Sequence, residues 1–546
     1  MNIDHIDAVA LMAAIHEGDE TALIDPREEG VFGQAHLLLA VNVPLSRLEL
    51  RIGRLVPRKS TRIVLTDDGD GLSERAASKL RELGYGRLEI LDGGLSAWRS
   101  AGFELFSGMS VPAKAFGEWI AVTCKTPSIS AEELHEQLVN GADVLVLDSR
   151  PANEYANMTI PGSINVPVSE LVYRFGELPV GPETLVVVNC AGRTRSLIGA
   201  QTLIDAGVGN RVVALRGGTT AWQLAGFELE HGARRHAPEP WGKSLEEAME
   251  RARAVAGRFR VKTIDESTLA AYKAEEESRS LYIIDVRTPD EFRAGHRPDS
   301  SHAWGVQLVQ STDRYVGTRN SRIVLVDNYQ VRALMTASWL IQAGWSETSV
   351  LADPFRGVKL ESGNPLPFVP AVTGAELPRI GPAELKELLE AKRAILLDFS
   401  DSLSYRRGHI PGAWFAIRSR LAESLDTILD GDRFVATGND HALASLAARD
   451  LAELSGKPAY ILEGGNGAWS KAGFAQATGL ENLAAKTDDL FRMPFLWGHF
   501  EDGAEFEQAA ADYLNWELQL PEQLQRSGEI NFSRSPRPAA AHDYGS

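Results

Sequence analysis

Of the two cysteines in this 546-residue chain, Cys190 is the one set among residues that could make a thiol react. It lies in the run L-V-V-V-N-C-A-G-R-T-R-S at 185–196. Apolar residues and Asn189 lead into Cys190, the short loop 190–195 follows, and Leu197, Ala200, Leu203 and Ile204 then recur on one helical face. A buried strand that turns sharply into a helix aims its loop amides inward, and the helix N-terminus adds positive potential at the same spot. Arg193 and Arg195 bring two permanent charges. A thiol in such a setting is poised as thiolate, the nucleophilic form. Ala191, Gly192, Arg193, Thr194 and Arg195 are then the candidate groups for binding an anionic substrate, and Ser196 braces the loop. A buried structural cysteine at a strand end is the plainer reading. The two arginines, Gly192 and the strand-loop-helix setting favour the reactive one.

The elements that hold this loop recur along the chain. A strand ending in aspartate opens each unit: A-L-I-D-P-R at 22–27, V-L-V-L-D-S-R at 144–150, Y-I-I-D-V-R at 282–287 and I-L-L-D-F-S at 395–400. A G-G-x-x-A-W element closes three of them, at 91–103, 215–227 and 462–474, and a degraded copy begins at Leu351. Strands alternating with helices predict an α/β fold, with four tandem domains, each a mainly parallel sheet flanked by helices. Their expected spans are 1–108, 127–232, 259–370 and 375–478. A helical extension and a flexible tail are expected over 479–546, the tail from the Pro-rich stretch 531–546. Asp148 and Arg150 end the opening strand of the second unit, near the carboxyl edge where the Cys190 loop emerges. They are expected to brace that loop rather than touch substrate.

Composition narrows the function. A formal charge of -18 argues against nucleic acid or an anionic membrane as a partner. Two cysteines cannot build a disulfide framework, which suits a reducing compartment. No signal-like segment follows Met1 and no run approaches ~18 apolar residues, so a cytoplasmic protein is expected. No motif asks for a metal or a cofactor.

Together, D-x-R, E-Y-x-x-x-x-I-P-G-S-I-N-V-P, C-x-x-x-x-R-S and G-G-x-x-A-W resemble the rhodanese family of sulfurtransferases, over most of 1–478. The resemblance implies that Cys190 takes a sulfane sulfur from a small anionic donor, holds it as a persulfide and passes it to a thiol or cyanide acceptor. A protein acceptor is equally compatible. The basic loop favours thiosulfate over 3-mercaptopyruvate, whose enzymes in this family carry small uncharged loops. The family's Gly-His before I-P-G is replaced by Met158 and Thr159, whereas the fourth unit keeps Gly408 and His409, read as structural. Asp67 and Asp327 stand at the cysteine position of the first and third units, and Gly438 or its neighbour in the fourth. Without a nucleophile these three domains are expected to be inactive. They would bind partners, dock the active unit or merely space it.

Two other classes compete. A persulfide carrier or scaffold fits the three cysteine-free units. Phosphatase or arsenate reductase chemistry also uses a Cys-to-Arg loop, but four intervening residues leave little room for a tetrahedral oxyanion. Around the domains, 109–127 reads as a packed linker that includes Cys124, a candidate but unactivated resolving thiol. The segment 244–257 reads as a solvated helical connector with an attractive Glu247–Arg251 pair.

Overall fold

The computed structural model describes residues 3–364, 377–428, 431–493 and 503–534. Four five-stranded, all-parallel sheets are built one after another with the same chain-order topology, 1-5-4-2-3. In the second sheet the order is Ser128–Ile129, Val212–Leu215, Leu185–Asn189, Val144–Asp148, Ile164–Asn165. Its central strands are continuous apolar runs because helices cover both faces, so Val186, Val187 and Val188 are all fully buried. Leu197, Ala200 and Leu203 of the following helix pack into that core. Ile204 does not: it is 37% exposed, on the outer side of the helix.

The first two connections between domains are packed, not free. The segment expected to be a linker is the helix Val111–Cys124, with Phe116 and Ile120 buried against the second and third domains. The connector is the helix Lys243–Arg258, and it is not solvated. Ala248, Ala252, Val255 and Ala256 enter a core shared by the second and third domains, because alanines allow close approach on that face. Nor does Arg251 pair with Glu247. It donates to the carbonyls of Ala206 and Gly207, while Glu247 meets Lys243 at 3.5 Å.

The third domain is fixed to the second by Trp339, whose indole donates to Thr202 Oγ1 at 3.0 Å, and by Arg332 beside Glu170. The fourth is fixed to the first by a buried bidentate pair, Arg418 with Glu49 at 2.7 and 2.8 Å. The C-terminal helix Gly503–Ser527 docks on the linker helix through Leu520 and Leu524. The stretch expected to be flexible begins docked: Phe532 packs on Phe116 and Trp119, and Arg534 grips Asp205 at 2.7 and 2.9 Å. Residues 535–546, and the Pro-rich exit of the third domain at 365–370, lie outside the described residues.

Candidate active site at Cys190

The loop sits where two central strands end. Asp148 and Asn189 are register partners, so Cys190 is the first residue past the carboxyl edge of the sheet. The helix Thr194–Asp205 starts four residues later, and its first amides have no partner within the helix. Cys190 is 2% exposed, and its thiol donates to Ser196 Oγ at 3.6 Å. Ser196 in turn donates to the Arg193 carbonyl at 2.7 Å, which ties the helix start back to the loop. The outward carbonyls of Cys190 and Ala191 accept from the amides of Thr219 and Thr220 at 2.8 and 3.0 Å. That approach requires Gly218, whose φ is +57° and whose Cβ would lie 2.2 Å from the Cys190 carbonyl. Gly94 and Gly465 make the same approach to Asp67 and Gly438, which fixes Gly438 itself as the fourth domain's counterpart.

The cysteine-free loops reveal what this cradle holds. In the first domain the Asp67 carboxylate accepts from the amides of Gly69 at 2.9 Å and Ser73 at 2.7 Å. In the third, Asp327 accepts from the amide of Arg332 at 2.9 Å and from its Nε at 2.9 Å. The residues at those offsets from Cys190 are Gly192, Arg195 and Ser196. Two of the four loops therefore close their amides around a negative charge supplied by the chain itself.

Both arginines of the Cys190 loop are paired. Arg195, buried, forms a bidentate pair with Glu154 at 2.8 and 2.9 Å, repeated in the third domain by Arg332 with Glu291. Arg193 turns away to Glu118 of the linker helix, at 2.7 and 2.8 Å. Thr194 Oγ1 lies 3.4 Å from Glu517. Asp148 and Arg150 form a fully buried pair beneath the loop. Asp148 also accepts from Asn189 Nδ2 at 3.2 Å and from Thr159 Oγ1 at 2.7 Å, so it holds the residue just before Cys190.

The rhodanese-like domain pattern matches residues 7–101, 130–225, 268–361 and 381–472. The chain belongs to the rhodanese family. A thiosulfate sulfurtransferase from Pseudomonas aeruginosa, of known crystal structure, is 44% identical, covers 97% of this chain and 99% of its own, and superposes with a TM-score of 0.92. A sulfurtransferase of Allochromatium vinosum is 34% identical over 101 residues, 18% of this chain and 92% of its own. An HTH-type transcriptional regulator of Mycobacterium tuberculosis shares 34% over 91 residues, 17% of this chain and 39% of its own length. Sulfur transfer is thus the reaction class of this rhodanese.

Part of the site comes from outside the matched repeats. The C-terminal helix crosses the Cys190 loop and sets Glu517 and Tyr513 on it: a Cβ on Gly192 would lie 3.2 Å from Glu517 Oε2 and 3.4 Å from the Tyr513 ring. Glu517 is 1% exposed. Its Oε1 accepts from the Tyr513 hydroxyl at 2.8 Å, while its Oε2 has no hydrogen-bond partner among the described residues. Burial raises the Glu517 pKa and lowers that of Lys114, the buried cation of the linker helix beside it. Sequence reasoning missed these groups. The available signal was a carboxylate on the helix face that carries Ala510, Leu520 and Leu524.

Cys124 ends the linker helix seven residues, about 10 Å of helix, beyond Gly117, where that helix touches Thr194. It sits in an apolar cluster, and burial pushes its thiol up. His409 is buried, stacked on Tyr405 and bonded through Nδ1 to the Tyr405 carbonyl at 2.8 Å. His36 and His296 stack in the same way on Phe32 and Phe292, so Thr159 marks the one domain without this ring. Among the described residues no cluster of His, Cys, Asp or Glu could hold a metal ion, and no helix is long and apolar enough to cross a membrane.

Proposed function

We propose that this rhodanese is a thiosulfate sulfurtransferase working through Cys190 alone. The Cys190 thiolate attacks the outer sulfur of thiosulfate, the S–S bond breaks, and sulfite leaves with the electron pair. A thiol or cyanide acceptor then attacks the outer sulfur of the persulfide and returns Cys190 to thiolate. The observation that carries this reading is the carboxylate of Asp67 seated on loop amides at the position equivalent to Cys190. A cradle that holds a carboxylate suits a persulfide anion and an anionic donor. Arg195 closes the loop, and Asp148, Arg150 and Ser196 brace it. The other three domains, with Asp67, Asp327 and Gly438 in place of the thiol, are inactive and serve to dock the active one.

One observation favours a second donor. Arg193 and Arg195 are each neutralised by a glutamate, so amides rather than free cations meet the donor, and the singly charged 3-mercaptopyruvate competes with thiosulfate. The test is the mass of Cys190 after exposure to either donor, with steady-state turnover on both and an aryl phosphate as the oxyanion control. Thiosulfate should add one sulfur and turn over faster, Cys190→Ser should do neither, and Cys124→Ser should keep most activity. Turnover retained by Cys190→Ser, or hydrolysis of the aryl phosphate lost with it, overturns the proposal.

A further inference from the structure

The C-terminal helix brings to the Cys190 loop a carboxylate with a job the repeats do not supply. Glu517 is held in place on every side. Tyr513 from its own helix and Thr194 from the loop address Oε1, at 2.8 and 3.4 Å. From the linker helix, Lys114 favours its charged form and Glu118 disfavours it. From the loop, Arg193 favours it as well. The Lys114 cation is itself favoured by Asp313 of the third domain and disfavoured by its neighbour Arg314 and by Arg195. Tyr513 lies near enough to Cys190 to feel the charge of its sulfur. What remains is Oε2, buried and unpartnered, against Gly192 in the loop that carries Cys190.

Leaving a carboxylate oxygen buried without a donor is costly, and such an atom invites an incoming hydrogen-bond donor. Thiosulfate and sulfite, as dianions, offer none. A neutral thiol does. From this arrangement we infer that Glu517 is the general base that deprotonates a thiol acceptor for attack on the Cys190 persulfide, an inference that rests on the persulfide cycle proposed above. The acceptor S–H gives its proton to Glu517 Oε2. The resulting thiolate attacks the outer sulfur, the S–S bond breaks, and its electron pair returns to Cys190 Sγ. The product forms as a persulfide anion, and Glu517 gives its proton either to that anion, which then leaves as a hydropersulfide, or to solvent. The burial that raises the Glu517 pKa brings it toward the pH at which such a base works best.

The experiment separates loading from discharge. Full-length protein is charged with thiosulfate, the persulfide is verified by mass, and single-turnover discharge is followed with 2-mercaptoethanol or with sulfite, from about pH 5.5 to about pH 9. Wild-type discharge to the thiol should rise with an inflection above the usual carboxylate range. In Glu517→Gln it should be ~10-fold slower or worse near neutrality and rise only with the thiol's own ionisation, near ~8.5 or above. Discharge to sulfite at about pH 8 should be as fast or faster in Glu517→Gln, because no proton is removed and a repelling charge is gone. Tyr513→Phe, which removes the nearer of the two donors on Oε1, should move the thiol inflection upward. Equal slowing with thiol and sulfite, or an inflection unmoved in both variants, overturns the inference while leaving the persulfide cycle intact. Failure of wild type to form a persulfide overturns both.

Discussion

Arg193 and Glu118 close on each other through two hydrogen bonds, Nε to Oε1 at 2.7 Å and Nη2 to Oε2 at 2.8 Å. The guanidinium belongs to the Cys190 loop and the carboxylate to the linker helix outside the domain. Glu118 therefore both anchors the helix to the loop and cancels a charge that an anionic donor would use. Glu118→Gln keeps a hydrogen-bonding amide and restores the cation. It should lower the KM for thiosulfate several-fold, with a smaller effect on 3-mercaptopyruvate. An unchanged or higher KM in steady-state kinetics would show that the Arg193 charge never reaches the donor.

Arg195 is buried, and Glu154 meets it with two hydrogen bonds. Removing one partner of such a pair leaves the other charge without compensation, a loss of ~3 kcal/mol in comparable cases. Arg195→Ala should lose activity with every donor and melt earlier. Arg195→Lys should not rescue it, since an ammonium cannot make the bidentate contact. Full activity in the lysine variant, measured with both donors, would show that charge alone suffices.

Gly218 faces the Cys190 carbonyl too closely for any side chain, and its φ of +57° is one that L-residues avoid. Gly218→Ala should displace the Cys190 loop and cut persulfide formation by an order of magnitude or more, seen as a loss of the mass shift. Gly226→Ala, where a Cβ meets open space at φ +80°, carries only the backbone strain and should leave loading intact. Equal loss in both would place the effect in general destabilisation.

Glu529, just past the C-terminal helix, is pushed up to about 8 from its ordinary 4.5 by burial. Below 4.5 the residue is protonated in both the folded and the unfolded chain, and its stabilising contribution is complete. As pH rises from 4.5 through about 8 the unfolded chain ionises first, so that contribution is lost. Glu529→Gln should therefore melt with wild type near pH ~5 and a few degrees higher at pH ~8, in thermal scans. Coincident melting at the higher pH would mean that Glu529 ionises freely where it is.

Much of this protein was legible from residue order alone. The four units, the parallel sheets, the Asp-x-Arg strand ends and the Cys190 loop all follow from local pattern, because strand, turn and helix N-terminus are encoded by neighbours within about a dozen residues. The three Gly-Gly turns and Asp67 were legible as motifs, though not why they matter. Gly218 makes room for the Cys190 carbonyl, a relation that joins the ends of two strands, and Asp67 fills a cradle of amides two and six residues further along its own loop.

What only the tertiary structure decided is which charges meet. The sequence offered Arg193 as a free cation beside the thiol, but Glu118 lies 75 residues earlier, on a helix that packing alone brings to the loop. The connector helix read as solvated because it is rich in charge and its apolar residues are mostly alanine, yet those alanines find a surface on two domains at once. Glu517 sits 327 positions after Cys190 and outside every repeat, on a helix whose periodicity tells that it docks and not where. Local pattern fixes the elements because backbone preferences act at short range. Docking partners depend on matching surfaces from distant segments, and no short-range signal carries that match.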